Sequence, residues 1–309
     1  MARGIALSVG LNQVSASAYP GVSDLGGCEN DARDISQMAR AAGFEVRPPL
    51  FSSSGRRRDV IGAVEGIAAQ LDAGDIFLFH YSGHGSQLRD AADGDREPDG
   101  KDETLCLFDA QMIDDELVRL WMRFKPGVRI LFLSDSCHSG SVSRVIRLPD
   151  EDTANRELVQ ARSVVARERS TGSAGDPLLD ADPRQIRLRT LTQEQADAAN
   201  DARASFYRSL HEGIRASGVV GARDVRASVL LISGCGDNET SKDIGTNGAF
   251  TRGLLQTWGS GSFGGTYRDF QTAIQGRISV RFSQNPQISM VGAVDIPFAA
   301  QKPFTISDV

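Results

Sequence analysis

Two short stretches carry reactive side chains in matching settings. The run "DIFLFHYSGHG" ends in His84, between Gly83 and Gly85, and the run "RILFLSDSCHSGS" ends in Cys137 among acid, hydroxyl and glycine residues. A cysteine reacts as the thiolate and needs a neighbouring base or positive environment near neutral pH. A histidine supplies that base and can later protonate a departing amine. Backbone N–H groups in the glycine-rich turn at Gly85 and at Cys137 can face a developing oxyanion. Ser134 and Ser136 are weaker nucleophile candidates, because no G-x-S-x-G elbow surrounds them. His138 is adjacent to Cys137, and adjacent side chains at a strand end diverge, so His84 is the better base.

The elements that must hold these residues follow from the apolar pattern. "IFLF" and "ILFL" are continuous apolar runs, as in strands buried on both faces. Residues 4–11 form a first strand. Helical spacing marks 28–42, with Gly43 as a stop, then 58–72 and the stretch "IDDELVRLWMRF". Strands alternating with helices imply an α/β fold with a mostly parallel central sheet and helices on both faces. Ligands in such sheets bind beyond the carboxyl ends of the strands, where both reactive stretches lie. Residues 144–192, rich in Arg, Asp, Ser and Pro, lack an apolar period and read as a partly mobile surface linker. A long polar helix is expected after it, from about 192 to 217. Strand character returns in "RASVLLISGCGDNETS", helices in "AFTRGLLQTW" and "YRDFQTAIQGRI", and a last strand in "QNPQISMVG". The expected organisation is one domain over 1–309, with a larger part (1–143), the linker and a smaller part (193–309).

Bulk properties narrow the function classes. The formal net charge of −6 leaves no excess of positive charge to neutralise phosphates, so a nucleic-acid partner is not expected. No apolar run reaches the ~20 residues of a membrane helix, and the N-terminus carries no signal-peptide pattern. The first strand starts almost at once, so no leader or prodomain is expected. Cys28, Cys106, Cys137 and Cys235 are widely spaced and form no C-x-x-C pair, which argues against a zinc or disulfide framework. A reducing compartment, the cytoplasm, is the expected location.

"HYSGHG" and "SDSCHSGS" together resemble the two signature blocks of metacaspases, the caspase-like cysteine peptidases. "GCENDA", the acidic "DGDREPDGKDETLC", "IDDEL" and "SGCGDNETS" follow the family's order, and the likeness covers residues 4 to 258. The histidine precedes the cysteine by about 50 residues, the caspase spacing. D-S-C-H-S-G stands where caspases have Q-A-C-x-G. The resemblance implies a caspase-like fold and a cysteine endopeptidase cutting protein or peptide substrates after Arg or Lys. Cys137 would attack, His84 would move the proton, and Gly85 and Cys137 would hold the oxyanion. It also implies an acidic pocket lined by Asp31, Asp135 and Ser82, with Asp237 at the rim. Carboxylates in a narrow pocket suit a guanidinium, which takes several charge-assisted bonds. Cys28 matches a position where some relatives keep a second cysteine and reads as pocket wall. Cys106 and Cys235 read as packing residues.

The resemblance leaves calcium open. Asp99, Asp114 and Asp115 match positions that hold an activating calcium in relatives, whereas Arg144 replaces a fourth aspartate. The acidic loop 90–103 is no EF-hand, because Pro98 interrupts it and Cys106 stands where the bidentate glutamate belongs. No cofactor is expected for the chemistry itself. The linker's arginines, among them Arg184, Arg187 and Arg189, are candidate self-cleavage sites. The alternatives from other classes are a non-catalytic caspase-like scaffold and an arginine-binding signalling module. A monomer is expected.

Overall fold

The computed structural model describes residues 1–89, 101–137, 182–218, 221–236 and 239–307. Its centre is a seven-stranded sheet in the order β12-β10-β8-β4-β1-β2, with β3 also paired to β1. These strands are β1 (Gly4–Gly10), β2 (Glu45–Val46), β3 (Leu50–Phe51), β4 (Ile76–Ser82), β8 (Arg129–Asp135), β10 (Ser228–Ser233) and β12 (Gln287–Gly292). All pairs are parallel except β10·β12, which is antiparallel and closes one edge. The expected mostly parallel sheet is therefore present.

Every residue of β1, β4, β8 and β10 is buried. Their side chains alternate between two apolar layers, as the strand period requires. Leu7, Phe77, Phe79, Ile130 and Phe132 face one layer with Val64 of α2 (Arg57–Ala68) and Trp121 of α3 (Asp114–Trp121). Ala6, Leu78, Leu131, Leu133 and Ile232 face the other, with Ile35 of α1 (Cys28–Ala41), Phe250 of α6 (Ala249–Trp258) and Phe270 of α7 (Tyr267–Phe282). Helices cover both faces, so a continuous apolar run is what each central strand needs.

Two small sheets flank the carboxyl end. One joins β5 (Gly85–Arg89), β6 (Lys101–Cys106) and β7 (Gln111–Ile113); the other joins β9 (Arg187–Leu188) to β11 (Lys242–Asp243). The long helix expected over 192–217 is two helices, α4 (Gln193–Ala202) and α5 (Ala204–Ala216), broken at Arg203, whose φ of −128° leaves the helical range. A short α8 (Ile296–Ala300) follows β12. Residues 144–181 of the expected linker lie outside the described residues; in its last part Arg184, Gln185 and Arg187 are exposed, whereas Ile186 and Arg189 are buried, Arg189 to 0% exposure.

Candidate active site

The polar exits of β4 and β8 meet because the two strands are paired in register, Ser82 opposite Asp135. Past these ends come His84, Gly85 and Cys137, all buried or nearly so. Gly85 lies so close to the Cys137 carbonyl that any Cβ there would collide with it. Both residues direct their backbone N–H groups at one atom, the Arg189 carbonyl oxygen, Gly85 at 2.9 Å and Cys137 at 3.5 Å. These are the two donors the sequence assigns to an oxyanion.

His84 is held by the loop after β1. Its Nε2 lies 3.0 Å from the Ser23 carbonyl oxygen, which fixes the proton on Nε2. Nδ1 is then the unprotonated nitrogen, buried and without a hydrogen-bond partner among the described residues. Burial lowers the imidazole pKa to about 4, against the raising effect of the Ser23 carbonyl, so the ring is neutral near pH 7. The Cys137 sulfur accepts a hydrogen bond from the Ser241 N–H at 2.9 Å.

Beside this pair is an acidic pocket that Arg189 fills. Its Nη2 donates to Asp31 at 2.8 Å and Asp243 at 3.1 Å. Its Nη1 lies 3.1 Å from the Asp135 carboxylate and donates to the Ser82 hydroxyl at 2.8 Å and the Asp135 carbonyl at 3.0 Å. All four charged side chains are 0% exposed. Burial works to lower the pKa of the guanidinium. The carboxylates of Asp135, Asp31 and Asp243 overcome that and hold its pKa well above the ordinary value.

The acids are themselves secured by helix N-termini, whose unpaired N–H groups favour negative charge. Asp31 is in the first turn of α1, and its carboxylate accepts from the Gly248 N–H just ahead of α6 at 3.0 Å and from Asn247 Nδ2 at 3.0 Å. Asp135 accepts from the Thr251 N–H at 3.0 Å, the Thr251 hydroxyl at 2.7 Å and the Ser241 hydroxyl at 2.5 Å. Asp243 accepts from the Gly27 and Gly245 N–H groups, each at 2.9 Å. Even so, burial pushes the Asp31 carboxyl up to about 7; Arg189 pulls it down and the neighbouring Asp135 raises it again. Cys28 lines the same wall, with its sulfur 3.8 Å from Asp243.

The structure thus gathers Asp31, Ser82, His84, Gly85, Asp135 and Cys137 at one cleft. Asp237 and Asp99 lie outside the described residues. Asp114 and Asp115 open α3, and among the described residues no three acids, histidines or cysteines come together as a metal site. Cys106 and Cys235 are buried. Cys235 is a neighbour of Cys137, and contact with it together with burial pushes the Cys235 thiol up.

Sequence reasoning passed over Asp243, Ser23 and the place of Arg189. Asp243 had a signal, since it follows a third polar strand exit, "SGCGDNETSKD". Ser23 acts through its main-chain carbonyl, for which residue type gives no sign.

The caspase-domain family model matches residues 3–294, so this chain belongs to the caspase-domain family of cysteine peptidases. Among curated relatives, metacaspase-1 of Schizosaccharomyces pombe is 28% identical over 95% of this chain and 68% of its own length. Metacaspase-1 of Mycosarcoma maydis is 27% identical, over 94% and 71%. A crystal structure of a protein from Geobacter sulfurreducens superposes with a TM-score of 0.77 at 38% identity, covering 98% of this chain and 99% of that one.

Proposed function

We propose that this protein is a cysteine endopeptidase that cuts after arginine, and that one of its substrates is its own Arg189–Thr190 bond. A single observation carries this reading. Arg189 lies in the acidic pocket while its carbonyl oxygen accepts hydrogen bonds from Gly85 and Cys137, as the residue before a scissile bond must. The main chain agrees. Leu188 and Arg187 pair antiparallel with Lys242 and Asp243, and the Arg189 N–H donates to the Ser241 carbonyl at 2.9 Å, which is how a peptide adds a strand to a sheet edge.

In this mechanism His84 Nδ1 takes the Cys137 proton and the sulfur attacks the Arg189 carbonyl carbon. The oxygen gains negative charge facing Gly85 and Cys137. The carbon–nitrogen bond breaks as His84 returns the proton to the Thr190 amine. Water, deprotonated by His84, then hydrolyses the thioester and frees the sulfur. Ser23 keeps the ring in the tautomer this requires. Guanidinium is the better fit for the pocket because two nitrogens reach three carboxylates, whereas a lysine ammonium brings one. Four free, buried cysteines suit the reducing cytoplasm expected from the sequence.

An arginine-binding module would use the acids without chemistry. The unpartnered His84 Nδ1 favours the enzyme, because a buried nitrogen without a hydrogen bond is costly and a binding site gains nothing from it. Calcium acting through Asp99, Asp114 and Asp115 is proposed as an activator outside the chemical steps. The test compares wild type with Cys137→Ala on fluorogenic Arg, Lys and Asp peptides, with and without calcium, and sequences any fragments. Wild type should cut Arg peptides best, and its second fragment should begin at Thr190. Equal turnover by both proteins, or cutting of Asp peptides, sinks the reading. A rate unchanged by calcium removes the activator.

A further inference from the structure

β10 brings a second thiol to the nucleophile. β8 and β10 run parallel in register as far as Ser134 and Ser233, and the Gly234 N–H still donates to the Ser134 carbonyl at 2.8 Å. Cys137 follows three residues after Ser134, and Cys235 two after Ser233. Neighbouring strands are about 4.8 Å apart, within the Cα separation of about 4.4–6.8 Å that a disulfide spans. The Cys235 sulfur donates to the carbonyl of Ser136, the residue before Cys137, at 3.6 Å, and its side chain contacts that of Cys137. Both cysteines are buried free thiols. Packing needs only the volume of Cys235, whereas contact with Cys137 gives it chemistry. Cys28 is turned instead to Asp243.

We propose that Cys235 is a resolving cysteine: hydrogen peroxide oxidises Cys137, and the two sulfurs then close a disulfide that switches the peptidase off reversibly. The inference rests on Cys137 being the nucleophile. His84 takes the Cys137 proton, and the thiolate attacks one oxygen of the peroxide. The O–O bond breaks, which leaves Cys137 as a sulfenic acid and releases hydroxide, and the hydroxide takes the proton back from His84 as water. The Cys235 sulfur then attacks the Cys137 sulfur. The S–O bond breaks, and the departing hydroxide leaves as water with the Cys235 proton. Two thiols have lost two electrons to one peroxide, which becomes two waters. Contact with Cys137 and burial keep Cys235 protonated, so Cys137 is the sulfur oxidised first. The disulfide holds Cys137 short of the sulfinic acid, which is irreversible, and a dithiol reductant reopens it. Cys137 is 0% exposed in the uncut chain, so peroxide meets it once the linker's cut end has withdrawn.

Cys28, Cys106 and Cys137 precede the proposed cut, and Cys235 is the one cysteine after it. A disulfide that joins the two fragments must therefore contain Cys235. The experiment treats self-cut wild type with hydrogen peroxide, blocks free thiols by alkylation and runs a non-reducing denaturing gel. The fragments should run as one band, separate on reduction, and yield a Cys137–Cys235 peptide pair by mass spectrometry. Turnover of an Arg peptide should vanish with peroxide and return with dithiothreitol. Cys235→Ser should cut at the wild-type rate before peroxide and recover about tenfold less activity after it, with Cys137 found as the sulfinic acid. Separate wild-type fragments, or a link from Cys235 to Cys28 or Cys106, overturn the inference whatever the variant does. Equal recovery of the two proteins overturns it too. If wild type cuts neither itself nor an Arg peptide, the arginine-cutting reading falls, and the peptide map of the peroxide-treated intact chain still decides the disulfide.

Discussion

Asp31, Asp135 and Asp243 meet one guanidinium where none of the four side chains reaches solvent. Such a cluster is poor evidence of stability as a whole, but removing its cation leaves buried charge unpaired, which costs about 3–5 kcal/mol. In a Cys137→Ala background, which abolishes self-cutting on the proposed mechanism, Arg189→Ala should therefore lower Tm at pH 8 by several degrees. The sign with pH follows from Asp31. Burial raises its folded pKa, to about 7, above the ordinary 3.8, so the folded chain holds the extra proton. Its contribution to stability is best below the unfolded value and declines as pH rises from 4 through 7. Arg189 is the main influence opposing that rise, so its loss moves the window to higher pH. The Tm deficit should be smaller at pH 5 than at pH 8 in differential scanning calorimetry. A deficit that does not change with pH would show that the three acids do not carry it.

At the scale of elements, the site is an agreement between strand ends and helix beginnings. β4 and β8 deliver Ser82, His84, Asp135 and Cys137, while the starts of α1 and α6 secure the acids. Gly248 is where this is tightest. A Cβ there would collide with the Asp135 carboxylate and stand 2.5 Å from the Arg189 guanidinium. Gly248→Ala should keep the circular dichroism of wild type and lose about 100-fold in kcat/KM on Arg peptides, since a displacement near 1 Å at a reacting centre costs that much. Activity within threefold of wild type would mean that arginine does not sit against α6. The strands of this site were legible because each is announced locally, β4 and β8 by unbroken apolar runs; Asp135 stands two residues before Cys137, and Asp31 was reached through the resemblance to the family's pocket acid. β6 was read within an acidic loop because "KDETLC" has no apolar period; it pairs with β5 and β7 in a separate small sheet. The break at Arg203 has no glycine or proline to signal it. Arg189 was one of nine linker arginines with nothing in its own neighbourhood to single it out. Its place is set by pairing with β11, some 50 residues further on, and pairing over that distance leaves no local periodicity.

For the molecule as a whole, the sheet straddles the proposed cut. β1, β4 and β8 come from before Arg189, and β10 and β12 from after it, with β10 paired to β8 along its whole length. Cutting one peptide bond at the cleft leaves that pairing in place, so the two fragments should separate on a denaturing gel and elute together under native conditions. The kinetics are fixed by the same arrangement. Arg189 already lies in its own chain's pocket with its carbonyl between Gly85 and Cys137, so the step is intramolecular and needs no encounter between molecules. Another molecule's arginine would have to displace a fully buried side chain held by three carboxylates. The fraction cut at a given time should therefore be the same at 0.1 and at 10 µM protein (about a hundredfold range), and wild type should not process added Cys137→Ala chain until its own cut is complete. A cutting rate that grows in proportion to concentration would show that the arginine seated in the cleft is a plug that another molecule removes, and not the first substrate.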